Sequence, residues 1–272
     1  MAGWLACVVV LTVAGREATS RLSVFEVMEL RSLIGICLLY PLVRRDGGIR
    51  AMKTAHLGRQ IVRNIVHYGA QCCWLLALTL IPLAQVISIE FTMPIWTAIL
   101  AVAFLGERMG IWKTTAVVLG LVGVVVIVRP FGGAVSGGQL IALTAAVGYA
   151  ISVTLVKSLT RSDRVTVIMF WMVVIQALLG VVPALAVWQW PSAQVWGWLV
   201  VIGFCGTYSH WCLTQALSHA DATIVVPMDF LRVPLAALTG WLIYAERVDL
   251  LTAVGAALIL GGNLLNLRVA KT

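Results

Sequence analysis

Charged side chains are scarce in this chain: Asp, Glu, Lys and Arg make up 11% of 272 residues, against about 25% in a soluble domain. No GxxxxGK[ST] stretch occurs, so no P-loop is available to couple ATP to work. HExxH and GxSxG are also missing and the four histidines are scattered, which argues against an intramembrane hydrolase. The six cysteines, Cys7, Cys37, Cys72, Cys73, Cys205 and Cys212, show no CxxC spacing and all fall in apolar stretches. They read as small packing residues rather than metal ligands or disulfide partners. Neither a metal nor a cofactor is expected.

Apolar residues fill the space left by the missing charge. They make up 61% of the chain and give a mean hydropathy of +1.00. They come in long blocks rather than amphipathic stripes, which identifies lipid as the solvent. A helical span needs roughly 20 such residues. Block lengths and breaks predict an all-α polytopic membrane protein with about ten transmembrane helices. The first five lie near Gly3 to Ser20, Val24 to Val43, Gly58 to Leu80, Leu83 to Leu105 and Trp112 to Val128. A second five lie near Gly138 to Val156, Val165 to Trp188, Val195 to Leu217, Ala222 to Tyr244 and Leu250 to Leu267. Ile81-Pro82, Gly106-Glu107-Arg108, Arg129-Pro130 and Trp190-Pro191 supply the breaks. The first block meets Arg16 and Glu17 early, but with no basic n-region or small-residue cleavage site it reads as a span rather than a signal peptide.

A formal net charge of +8 does not imply nucleic acid, because the basic residues sit in short loops between apolar blocks and read as topology signals and contacts to anionic lipid. With both ends cytoplasmic, the inner loops and tail hold Arg44, Arg45, Arg50, Lys53, Arg59, Arg108, Lys113, Lys157, Arg161, Arg164, Arg268 and Lys271. The outer loops hold only Arg16, Arg21, Arg129 and Arg247. That asymmetry favours an inner (plasma) membrane protein with both termini inside.

The chain also repeats itself. Ala77 to Arg129 and Ala216 to Arg268 align without a gap, pairing Phe91 with Phe230, Glu107-Arg108 with Glu246-Arg247 and Gly123 with Gly262. A repeat of five spans is odd in number, so its second copy enters the membrane from the other side. Residues 1–130 and 138–268 are therefore expected to be two inverted five-helix repeats, an architecture of secondary transporters that work by alternating access.

Several stretches carry a resemblance to a known family: Ala77 to Val86, Glu90-Phe-Thr-Met-Pro94 running into Phe104-Leu-Gly-Glu-Arg108, Leu119 to Val124 closing at Arg129-Pro130, and Ala220-Asp-Ala-Thr223 through Glu246. The chain resembles the EamA-type ten-helix group of the drug/metabolite transporter superfamily over nearly its whole length. The resemblance implies a cavity built by the first four helices of each half, with the fifth and tenth peripheral. The basic leader and Trp-Gly pair often seen in that family's first span are missing here.

Ionisable groups inside a span cost at least about 2.5 kcal/mol each on insertion scales, so they mark candidate sites. Glu90 and Asp229 lie at equivalent depths of the fourth and ninth spans, where a carboxylate binds a cationic group or exchanges a proton. Alternatively they are structural: Asp229 and Arg232 share a helical face, and Arg31 or Arg63 could neutralise Glu90. Arg31 is a candidate for a substrate carboxylate or an internal counter-ion, whereas Arg63 is shallow enough to snorkel to lipid. His67, Gln71 and Trp74 follow at helical spacing, and His210 occupies a comparable part of the eighth span; such groups bind substrate or join helices. Trp74, Trp96 and Trp171 form either an aromatic wall or core packing, while Trp188, Trp190, Trp196 and Trp198 read as an interfacial belt. Pro94, Pro227 and Pro234 permit kinks near the two carboxylates and make these helices hinge candidates. Ala116-xxx-Gly120 and Ala257-xxx-Gly261 allow close helix packing, within the chain or in a homodimer.

The expected function is transport of a small organic metabolite or drug-like molecule, with proton coupling open, in contact with the lipid bilayer and without enzymatic activity. The alternatives are a non-transporting structural or regulatory membrane subunit and an intramembrane enzyme.

Overall fold

A computed structural model of the chain describes residues 2–81, 86, 89–128, 136–232 and 250–269. All regular structure among them is helical: α1 (Ala2–Thr19), α2 (Val24–Arg45), α3 (Leu57–Leu80), α4 (Met93–Leu105), α5 (Ile111–Val128), α6 (Gly137–Leu159), α7 (Val165–Ala186), α8 (Ala193–His219), α9 (Ala222–Val225) and α10 (Leu250–Val269), with 3₁₀ turns at Ile49–Ala51 and Val226–Leu231. Eight of these helices fall on the expected spans to within a few residues.

The fourth and ninth depart from expectation. The fourth span does not run unbroken to Leu105, because a turn at Phe91 and Thr92 precedes α4. Pro94 then stands in the first turn of α4, where its fixed φ suits the helix and its missing N–H costs nothing. In the ninth span, α9 passes after four residues into the 3₁₀ turn, with Pro227 at that turn's start. Pro94 therefore begins a helical segment, whereas Pro227 stands at the junction where α9 passes into the 3₁₀ turn. The prolines inside described helices are Pro41 in α2 and Pro183 in α7. Pro234, Arg129, Glu246 and Arg247 lie outside the described residues.

Polarity is distributed as lipid demands. Phe104, Leu178, Val182, Leu250 and Leu264 are exposed, whereas Gln60, Asn64, Glu26 and Gln176 are buried. Water would favour the reverse; hydrocarbon favours this arrangement, since polar groups inside it must find partners in the protein. Gly137–Leu159 and Val165–Ala186 are long and apolar enough to cross a bilayer by length and composition alone, and shorter apolar helices include Met93–Leu105 and Ile111–Gly123.

Two compact units result, and neither follows chain order. Unit 1 holds residues 1–68 and 155–219; unit 2 holds 69–154 and 220–272. Each draws on both halves of the chain. In unit 1, α2 packs on α7 and α8, and α1 packs on α8. Ala14, Ala18, Leu22, Leu199 and Ile202 form one cluster of its core, and Leu39, Val43, Met169 and Met172 form another.

In unit 2, α5 packs along α10. Glycine permits the approach: a Cβ at Gly123 would lie 2.6 Å from the Gly255 carbonyl oxygen, and one at Gly262 would lie 2.9 Å from that of Ala116. The Ala116/Gly120 pair is thus used inside the chain, with Phe230 against Gly120. On α10 the packing glycines are Gly255 and Gly262, while Gly261 faces open space. Trp188 and Trp190 meet edge to face at 6.0 Å between ring centroids, and Trp190 is 82% exposed, as an interfacial tryptophan would be.

Candidate functional site

The two breaks in helix geometry bring the candidate carboxylates together in unit 2. Glu90 lies just before the turn that precedes α4, and Asp229 lies in the 3₁₀ turn after α9. Arg232 joins them: its Nη2 donates to Glu90 Oε1 at 2.8 Å and to Asp229 Oδ2 at 3.0 Å. The counter-ion of Glu90 is therefore Arg232, not either of the arginines of the second and third spans proposed for it from sequence. Trp74 closes the other side, donating its indole N–H to Glu90 Oε2 at 2.8 Å. The Arg232 guanidinium also lies over the Phe91 ring, 4.9 Å from its centroid, and Phe91 packs on Phe230.

Asp229 is 4% exposed, and the Glu90 and Arg232 side chains are each 13% exposed. In that environment charges interact strongly and a missing partner is costly. Arg232 Nε has no hydrogen-bond partner among the described residues. The cluster is thus a buried structural link with one donor left over. Gln71, also in this unit, has its Oε1 buried without a hydrogen-bond partner. Trp96 is occupied locally, donating to Thr92 Oγ1 at 3.2 Å.

Glu107, which served in the sequence as a repeat marker, has a specific task. It is buried and accepts from the backbone N–H groups of Ala222 at 2.9 Å and Thr223 at 3.0 Å. It thus satisfies donors at the start of α9 that no intrahelical carbonyl can reach. Lys113 supports the same corner, with Nζ 3.3 Å from Asp221 Oδ2 and 3.0 Å from Thr223 Oγ1.

Unit 1 holds the remaining candidates. His67 and His210 meet edge to face at 5.0 Å between ring centroids, and Trp4 meets His210 at 5.9 Å. Arg31 reaches α8 closely: its Nε would lie 2.5 Å from a Cβ at Gly206. Arg63 is only 2% exposed, so it does not snorkel to lipid. Trp171 is a structural anchor, its indole N–H donating to the Met52 carbonyl at 3.0 Å.

Two acids in α2 escaped the sequence reading, although both interrupt an apolar run. Glu26 forms a capping box with Ser23 and accepts from the Gln189 backbone N–H. Glu29 is 5% exposed, and its Oε2 has no hydrogen-bond partner among the described residues. A Cβ at Gly180 would come within 2.5 Å of that oxygen.

Apolar surface around buried, paired charges is the pattern of a multi-pass membrane protein. The chain belongs to the EamA-like transporter family, whose model matches residues 2–129 and again 136–268. A riboflavin transporter of Brucella anthropi is 30% identical over 242 residues, 87% of this chain and 85% of that protein. An S-adenosylmethionine uptake transporter of Rickettsia prowazekii is 28% identical over 90% of this chain and 83% of its own. A pseudopaline exporter of Pseudomonas aeruginosa is 29% identical over 90% and 86%. A solved crystal structure shares the fold, with a TM-score of 0.83 at 18% identity over 99% of this chain and 96% of that one.

Proposed function

We propose that this chain moves a small organic metabolite across the inner membrane by alternating access. In this reading its two halves are inverted five-helix repeats, both termini are cytoplasmic, and the protein has no enzymatic activity. The observation that carries it is the Glu90–Arg232–Asp229 cluster, built where the fourth span is interrupted by a turn and the ninth tightens from α to 3₁₀ geometry. Interrupted helices inside a membrane are tolerated where they line a cavity or are buried in protein, and in transporters they hold cargo and coupling ions. The relatives support a metabolite as cargo, since their names specify riboflavin, S-adenosylmethionine and pseudopaline. They include both an uptake protein and an exporter, so uptake and release are both measured in the test below.

Within this reading Glu90 and Asp229 are the groups that exchange a proton or meet a cationic part of the cargo. Pro94 and Pro227, each at the first turn of a helical segment beside a carboxylate, mark where movement is concentrated. The experiment is uptake of a metabolite library into proteoliposomes, and its release from them, with and without a pH gradient. Gradient-sensitive flux of at least one compound is expected. Folded protein giving no flux for any compound would favour a structural or regulatory subunit instead. If Glu90→Gln transports with unchanged pH dependence, Glu90 handles no proton.

A further inference from the structure

Four basic or titratable side chains from three helices converge in unit 1. Arg31 comes from α2, Arg63 and His67 from successive turns of α3, and His210 from α8, one turn after Gly206. Arg31 lies against Gly206, one turn before His210 on α8, and Arg63 precedes His67 by one turn of α3. The His67 and His210 rings are in contact.

Arg63 is the centre of the problem. It is 98% removed from solvent contact by the 2% exposure of its surface, within a chain whose surroundings are hydrocarbon. Its Nη1 donates to Asn64 Oδ1 at 2.7 Å, but its Nε has no hydrogen-bond partner, and it forms no ion pair among the described residues. One neutral amide oxygen does not balance a buried guanidinium. The acids of this unit do not relieve this: Asp163 accepts from Thr54 and Gln60, Glu26 is committed to capping α2, and Glu29, packed against Gly180, forms no ion pair among the described residues. An intramembrane cation left without a countercharge marks a substrate or ion pathway, and a planar guanidinium fits a carboxylate or phosphate through paired N–H donors.

We propose that Arg63, assisted by Arg31, His67 and His210, binds the anionic group of the transported molecule, so that the cargo is an organic acid bearing a carboxylate or phosphate. This rests on the transport reading above and narrows its substrate class. Arg63 and Arg31 supply charge and the donor fork; the histidines supply ring surface and further polar contacts around the anion.

The test uses matched pairs that differ at the acidic group: nicotinate and nicotinamide, indole-3-acetate and indole-3-acetamide, flavin mononucleotide and riboflavin. Binding is read as ligand-dependent thermal stabilisation of the purified protein, and transport as uptake into proteoliposomes. In at least one pair the anion should bind at least about thirtyfold more tightly than its neutral twin, the loss expected when one partner of a buried charge pair is removed. The first two pairs report a carboxylate and the third a phosphate. Arg63→Gln should erase that preference and leave the neutral twin unaffected, and Arg63→Lys should keep part of it. If Arg63→Gln fails to fold, Arg31→Gln should raise KM for the anion with kcat little changed. Equal or better binding of every neutral twin, or an undiminished anion preference in Arg63→Gln, would overturn the proposal. Flux of cationic or neutral library compounds alone would overturn it too while leaving the transporter intact. Absence of flux for any compound would remove the transport reading, and absence of stabilisation by every anion would remove the site.

Discussion

Glu90 and Arg232 are 142 residues apart in the chain and 2.8 Å apart in space. One belongs to the first half and the other to the second, and both are largely buried. The pair therefore fixes the turn before α4 against the 3₁₀ turn after α9. Asp229, three residues before Arg232, shares the same nitrogen at 3.0 Å, so the arginine is the hub.

Arg232→Gln should be the most damaging change in this cluster, because it leaves Glu90 and Asp229 close together without a cation. A loss of about 3 kcal/mol or more is expected, read as thermal unfolding in detergent. Glu90→Gln should cost less, since Asp229 still answers Arg232. A double-mutant cycle on the two positions should return a coupling of about 1 kcal/mol or more; additive effects would mean the contact carries little energy.

Glu107→Ala should lower stability by about 1 to 2 kcal/mol through loss of a cap to two backbone donors. Glu107→Gln, which can still accept at one oxygen, should recover about half. A stability unchanged in both variants would show that α9 needs no such support.

Gly123→Ala and Gly261→Ala provide a paired comparison on α5 and α10. The first places a methyl 2.6 Å from a backbone oxygen that cannot step aside, and overpacking of this kind costs about 1 to 3 kcal/mol. The second meets nothing within 4 Å and gains helix propensity, so its stability should hold or rise slightly. Equal melting temperatures for the two would contradict the packing of α5 on α10.

Glu29→Gln should raise the melting temperature, because a buried carboxyl oxygen without a hydrogen-bond partner is a cost of about 1 kcal/mol or more that a neutral amide reduces. If transport falls while stability rises, the acid is held for function. A fall in stability would point to a stabilising role.

The helices themselves could be read closely from the chain because lipid imposes a simple rule: long apolar blocks ended by charge, glycine or proline. That rule located α3 and α7 almost to the residue. It missed the interruption before Pro94, because the apolar run there continues through the turn and hydropathy does not register a change in backbone direction. The acidic half of the candidate site was equally plain, since Glu90 and Asp229 stand out in apolar surroundings. Their shared partner was only half visible: Arg232 is near Asp229 in sequence but far from Glu90, and long-range pairing leaves no local signature. Arg63 was misjudged because depth along a helix says nothing about which side faces protein. The grouping into units that mix both halves of the chain was likewise invisible, since order along the chain does not specify which helices pack together.

Glu107 and Arg232 lie in opposite halves of the chain, and each serves residues of the other. An isolated half would therefore keep an acid with no base, or a helix start with no cap. That mutual dependence makes separation into independently folding pieces unfavourable.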